Sequence, residues 1–99
     1  MQFIYILSLN ESFHVLSQWT EENYRTQAEH FSYLKDLYEQ GIMRHVGRTD
    51  LDLDDKDLHG YAIFEAESES EAKELMHGDP AVRDGLMSAK LLPYRIVFN

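Results

Sequence analysis

The stretch FIYILSL, residues 3–9, restricts this chain more than any other. It has the length and the β-branched and aromatic content of a strand, and both alternating sets are apolar. Phe3, Tyr5 and Leu7 fall on one side, Ile4 and Ile6 on the other. Such a strand needs cover on both faces. Ninety-nine residues make one domain, 1–99, burying only about 60–65% of the surface its unfolded chain exposes, and hold few helices with which to cover anything. A second copy of the same sheet face is the simplest second cover, so a homodimer with sheets face to face is expected.

The remaining elements follow from local signals. Asn10 to Gln18 reads as a polar connection carrying Phe13, Val15 and Leu16. Thr20 is then an N-cap with Asn23 three residues on and Glu21 and Glu22 in the first turn, which predicts a helix from about Glu21 to Gln40. Its apolar stripe reads as Tyr24, Ala28, Phe31, Leu34 and Tyr38, widened by Leu37, and Gly41 supplies the stop. Ile42 to Arg48 is a second strand, joined through the acidic loop TDLDLDDKDLHG to a third, Tyr61 to Glu67. Ser68 caps a second helix with Glu71 at the capping-box position and Ala72, Leu75 and Met76 on its buried side, before Gly78 ends it. Asp79-Pro80 starts a short helix, and a last strand covers roughly Ser88 to Phe98, with Pro93 requiring an edge or a bulge. The order strand, helix, strand, strand, helix, strand is the βαββαβ pattern of α+β ferredoxin-like folds, a four-stranded antiparallel sheet with both helices on one face.

Charge narrows the partners. A formal charge of −9, with nine Lys and Arg residues that form no cluster, opposes nucleic acid and anionic membranes. The opening MQFIYILSLNES is too short to span a bilayer and has neither a basic segment before it nor a small-residue cleavage site after it. With no cysteine, thiolate zinc sites, iron–sulfur clusters and thiol nucleophiles are excluded, and a reducing cytoplasm is expected.

Two residues carry the chemical expectation. His30 lies on or beside the helical stripe, where an imidazole is commonly a core residue with backbone or water partners. Asp79 before Pro80 is a plain helix cap, a contact typically worth about 1 kcal/mol. Both helices share a sheet face, however, so His30 can approach Asp79, and an imidazole backed by a carboxylate has a fixed tautomer and the proton affinity of a general base. Arg48 and Arg83 could hold an anionic substrate, and Ser8 could add a hydroxyl, though local ion pairs are an ordinary use for both arginines. Asp50, Asp52 and Asp54 begin like a calcium loop but lack its glycine and terminal glutamate, which leaves a solvated hairpin loop. His14, His45, His59 and His77 show no metal-ligand spacing, so no metal is expected. Tyr5, Tyr33 and Tyr61 read as core.

HFSYLKDLYEQGIMRHVG, then GYAIFEAESESEAKELM, GDPAVRDGL and LLPYRIV together resemble the YCII-related (YciI-like) family, over nearly the whole chain. The resemblance implies a dimeric α+β barrel with a His–Asp pair in a pocket of each subunit. The family's helix histidine falls on His30 and its DP aspartate on Asp79. Relatives include dehydrochlorinases of hydroxylated chloroaromatics, and the wider superfamily includes lactone isomerases. The chain departs from the pattern after its second strand, where His45, Val46, Gly47 and Arg48 stand, in its Asp-rich loop, and at Tyr94 in place of tryptophan.

The expectation is therefore a small, cofactor-independent enzyme using His30 and Asp79 for acid–base chemistry of the lyase, dehydrochlorinase or isomerase type on a cyclic or aromatic small molecule. A binding or regulatory dimeric module without turnover, or a purely structural dimerisation domain, is the alternative.

Overall fold

A computed structural model describes residues 1–99. Four strands, β1 (Gln2–Leu9), β2 (Met43–Arg48), β3 (His59–Glu65) and β4 (Met87–Pro93), form one antiparallel sheet in the order β2-β3-β1-β4. Three helices, α1 (Glu21–Glu39), α2 (Glu69–Gly78) and the single turn α3 (Pro80–Arg83), join them. This is the expected ferredoxin-like α+β arrangement. Two 3₁₀ turns, Glu11–His14 and Leu16–Gln18, occupy the polar connection after β1.

The first strand divides as its alternation demands. Phe3, Tyr5 and Leu7 pair across to Phe64, Ala62 and Gly60 of β3, and the apolar residues of this face pack with Leu34, Met43, Ala72 and Met76 into the buried core. Ile4 and Ile6 point to the other face, opposite Ile63 and Tyr61. β2 carries an irregularity between Met43 and His45, which lets Met43 enter the core while Arg44 reaches Glu65 at 3.4 Å.

Local signals placed most boundaries well. Thr20 and Asn23 make a full capping box: the Asn23 amide donates to Thr20 Oγ1 and the Thr20 amide to Asn23 Oδ1. Gly41 takes φ +78°, the left-handed conformation that ends α1. Ser68 accepts from the Glu71 amide, and Asp79 from Ala81.

Three expectations need correction. The third strand begins at His59, two residues early, because β1 extends far enough for Ser8 to pair with His59. The last strand ends at Pro93, short of Phe98: its partner β1 runs out at Gln2, whose carbonyl takes the Tyr94 amide and whose side chain takes the Ile96 amide, and Val97 and Phe98 project into solvent. The buried face of α1 is Thr26, His30 and Leu34, supported by Tyr33 and Leu37, whereas Tyr24, Ala28, Phe31 and Tyr38 of the expected stripe are exposed. Hydrophobicity alone set that face wrongly because two polar residues on it have carboxylate partners, fully buried Asp79 for His30 and the exposed Asp84 for Thr26.

Candidate active site

Asp79 owes its position to two helix ends. α2 stops at Gly78 and α3 starts at Pro80, so Asp79 serves as C-cap to one and N-cap to the other, with no exposed surface. One carboxylate oxygen, Oδ1, accepts from the Ala81 amide at 3.0 Å and from His30 Nδ1 at 2.6 Å. The other, Oδ2, accepts from the Tyr5 hydroxyl at 2.8 Å. The cap and the chemical partner are thus the same side chain, because a carboxylate has acceptor sites for three donors.

That arrangement fixes His30. A carboxylate can only accept from Nδ1, so the neutral ring carries its proton there and its lone pair on Nε2. His30 is 7% exposed, lines a cavity of about 400 Å³, and its Nε2 is neither bonded within the chain nor sealed from solvent. The basic edge of the imidazole therefore meets the cavity while its protonated edge is anchored.

The cavity lies between α1 and the end of the sheet. Phe31 and Leu34 wall it from the helix, Val46 and Arg48 from β2, with Trp19 and Leu53 contributed by the flanking connections. His14 joins those connections through a 2.7 Å bond between its Nδ1 and the Leu53 carbonyl.

Burial pushes the Tyr5 hydroxyl far above its ordinary range, and the adjacent Asp79 charge and hydrogen bond add to this. Tyr33 is raised as well, by burial first and then by the Asp79 charge. Both phenols stay protonated at neutral pH, so Tyr5 is a permanent donor. Sequence reasoning took Tyr5 for plain core; only the β1 register, which puts residue 5 under the junction of α2 and α3, makes it a partner of Asp79.

A family model, the YCII-related domain, matches residues 1–93. The chain belongs to the YCII-related family. Among curated proteins nothing matches it. Among solved structures, this YCII-related chain is similar to 5-chloro-2-hydroxyhydroquinone dehydrochlorinase (TftG) from Burkholderia phenoliruptrix AC1100 in complex with 2,5-dihydroxybenzoquinone. The TM-score is 0.69 at 21% identity, over 96% of this chain and 94% of that one. The likeness bears on the fold.

The remaining expected site residues of this YCII-related domain scatter. Arg48 lines the cavity with His30. Arg83 does not; it pairs with Asp84 at 2.9 Å and Glu29 at 3.5 Å, on the surface. Ser8 projects from the opposite sheet face, where its hydroxyl meets His59 Nδ1 at 2.9 Å. The Asp-rich loop closes on itself, the Asp57 amide donating to Asp55 Oδ1 and Thr49 Oγ1 to the Asp57 carbonyl. No helix is long and apolar enough to cross a membrane.

Proposed function

We propose that this protein is a small acid–base enzyme in which His30 moves a proton to or from a cyclic or aromatic small molecule and Asp79 orients and charge-balances the imidazole. The observation that carries the reading is the 2.6 Å bond between His30 Nδ1 and Asp79 Oδ1 on the wall of a cavity. When Nε2 takes a proton the ring becomes a cation, and the carboxylate behind it offsets the new charge without moving. Positioned acid–base catalysis contributes typically about 10²–10⁴-fold, which suits a substrate whose proton is already acidified, as in a lyase, dehydrochlorinase or isomerase step. The similar dehydrochlorinase, named for a hydroxylated chloroaromatic, supports that choice of reaction class. No cofactor is part of the reading, and Arg48 is its proposed anion contact.

The reading includes a second copy across the sheet face that the helices leave open. Ile4, Ile6, Ile63 and Leu92 alternate onto that face. Sedimentation of the wild type at twice the chain mass, and of Ile6→Lys at the chain mass, is the expected result. A cysteine-free chain suits the cytoplasm as the proposed compartment.

Turnover of a panel of hydroxylated and halogenated aromatics and lactones tests the chemistry. His30→Gln and Asp79→Asn should each lose turnover by about 10²-fold or more while retaining ligand binding. Equal turnover in wild type and His30→Gln, or none by the wild type across the panel, would leave a binding module.

A further inference from the structure

The cavity wall is at odds with the charge of the chain. Eighteen of 99 residues are acidic, yet none of the seventeen that line the cavity is Asp or Glu. Eleven of them are hydrophobic, and the polar groups among the rest include Arg48 and Gln27. Arg48 makes no ion pair within the chain, unlike Arg44, Lys73 and Arg83. Gln27 stands one turn before His30 on α1, so the two side chains project to neighbouring points of the wall. Its Oε1 is the one sealed side-chain polar atom in the molecule without a hydrogen-bond partner, and the residue lines the cavity.

We propose that the cavity is built to hold the conjugate base of a planar weak acid, a phenol or an enol, with the oxyanion on Arg48 and the Gln27 amide. The destination of the proton rests on the acid–base reading above; the anion contacts do not. In the step itself the ligand O–H bond breaks, its electron pair stays on the ligand oxygen and spreads into the ring, and the proton forms an N–H bond at His30 Nε2. Asp79 balances the imidazolium, and the guanidinium and amide donors balance the oxyanion. A cavity of about 400 Å³ accommodates one substituted ring. Its apolar wall makes a half-buried donor such as Gln27 count for more than it would in water. Asp52 and Asp54 flank Leu53 at the rim, but both are exposed. Arg48 is exposed too, and its weight comes from lining the cavity and meeting the oxyanion directly, whereas salt and water screen the two aspartates, which do not line it, over about 10 Å.

The test uses 4-nitrophenol, whose phenolate is coloured, and its methyl ether 4-nitroanisole, which cannot ionise. Equilibrium dialysis should find the phenolate bound about tenfold or more tightly than the ether. By linkage, protein added to half-ionised 4-nitrophenol should raise the phenolate absorbance, the midpoint falling by about one pH unit. Arg48→Met should abolish most of that preference and Gln27→Leu should reduce it severalfold. The proposal is overturned if the ether binds as tightly as the phenolate, if Arg48→Met and Gln27→Leu retain the wild-type preference, or if neither compound binds. A phenolate preference without turnover of any substrate would remove the acid–base reading and leave the anion site standing.

Discussion

The Tyr5 hydroxyl donates to Asp79 Oδ2 at 2.8 Å, and neither side chain has any exposed surface. The strand beneath therefore holds the carboxylate from one side while α1 holds it from the other. Tyr5→Phe removes the donor and leaves a buried carboxylate oxygen unpartnered, which should cost about 1–3 kcal/mol in urea denaturation. Tyr33→Phe, whose half-buried hydroxyl donates to the Leu75 carbonyl at 2.7 Å, should cost less, about 0.5–1.5 kcal/mol. Equal losses would mean that the Asp79 contact has no special weight.

Asp79→Ala removes a cap and strands two donors, Tyr5 and His30, so the loss should reach about 3–5 kcal/mol. Asp79→Asn keeps an acceptor for the cap and should lose distinctly less. A loss near 1 kcal/mol for Asp79→Ala in equilibrium unfolding would reduce the residue to an ordinary cap.

Stability at high pH follows from the same phenol. Burial, then the Asp79 charge, holds Tyr5 un-ionised in the fold, whereas the unfolded chain gives up that proton near the ordinary value of 10.0. A raised folded-state value means that the stabilising contribution is complete below about pH 10 and declines as pH rises beyond it. Unfolding curves from about pH 8 to 11 should steepen in their pH dependence near the top of that range, and Tyr5→Phe should flatten the dependence.

Gly78 has a tighter role than ending a helix. A Cβ there would stand 2.9 Å from the Tyr33 hydroxyl, which is held by Leu75. Gly78→Ala should therefore lose about 1–3 kcal/mol, and adding Tyr33→Phe should recover part of it. Additive losses in the double variant would show that the two sites do not collide.

The register of α1 can be checked with two truncations. Leu34→Ala, at 5% exposure, should cost about 2–5 kcal/mol, whereas Phe31→Ser, at 67%, should change thermal stability by about 0.5 kcal/mol or less. The opposite ranking would restore the stripe expected from hydrophobicity.

The fold was legible because each element carries its own start and stop. The Thr20 and Ser68 caps, Gly41, the Asp79-Pro80 junction and the doubly apolar first strand are local signals, and local signals survive folding. Of the candidate site, His30 and Asp79 could be proposed because two helices on one sheet face bring their residues within reach. What stayed hidden depends on rotation and register. The face of α1 turned on which of its polar residues find carboxylate partners, which no hydrophobic periodicity reports. Tyr5 acquires its role from the strand register, Gln27 from the rotation of α1, and Trp19 from the connection that packs over the cavity. Ser8 lies on the far face by simple alternation from Leu7, which the strand pattern already contained.

The hairpin loop between β2 and β3 is fastened at its base. The Thr49 amide donates to the His59 carbonyl, and Thr49 Oγ1 accepts the His59 amide and donates to Asp57. Apart from Leu53, whose carbonyl His14 holds, and the buried Leu58, the residues between those knots can change in number or sign without tugging on α1 or on the α2–α3 junction. Only Leu53 and Leu58 of that stretch reach the hollow. Descendants of this scaffold are thus free to exchange their doorway while inheriting the imidazole and carboxylate untouched.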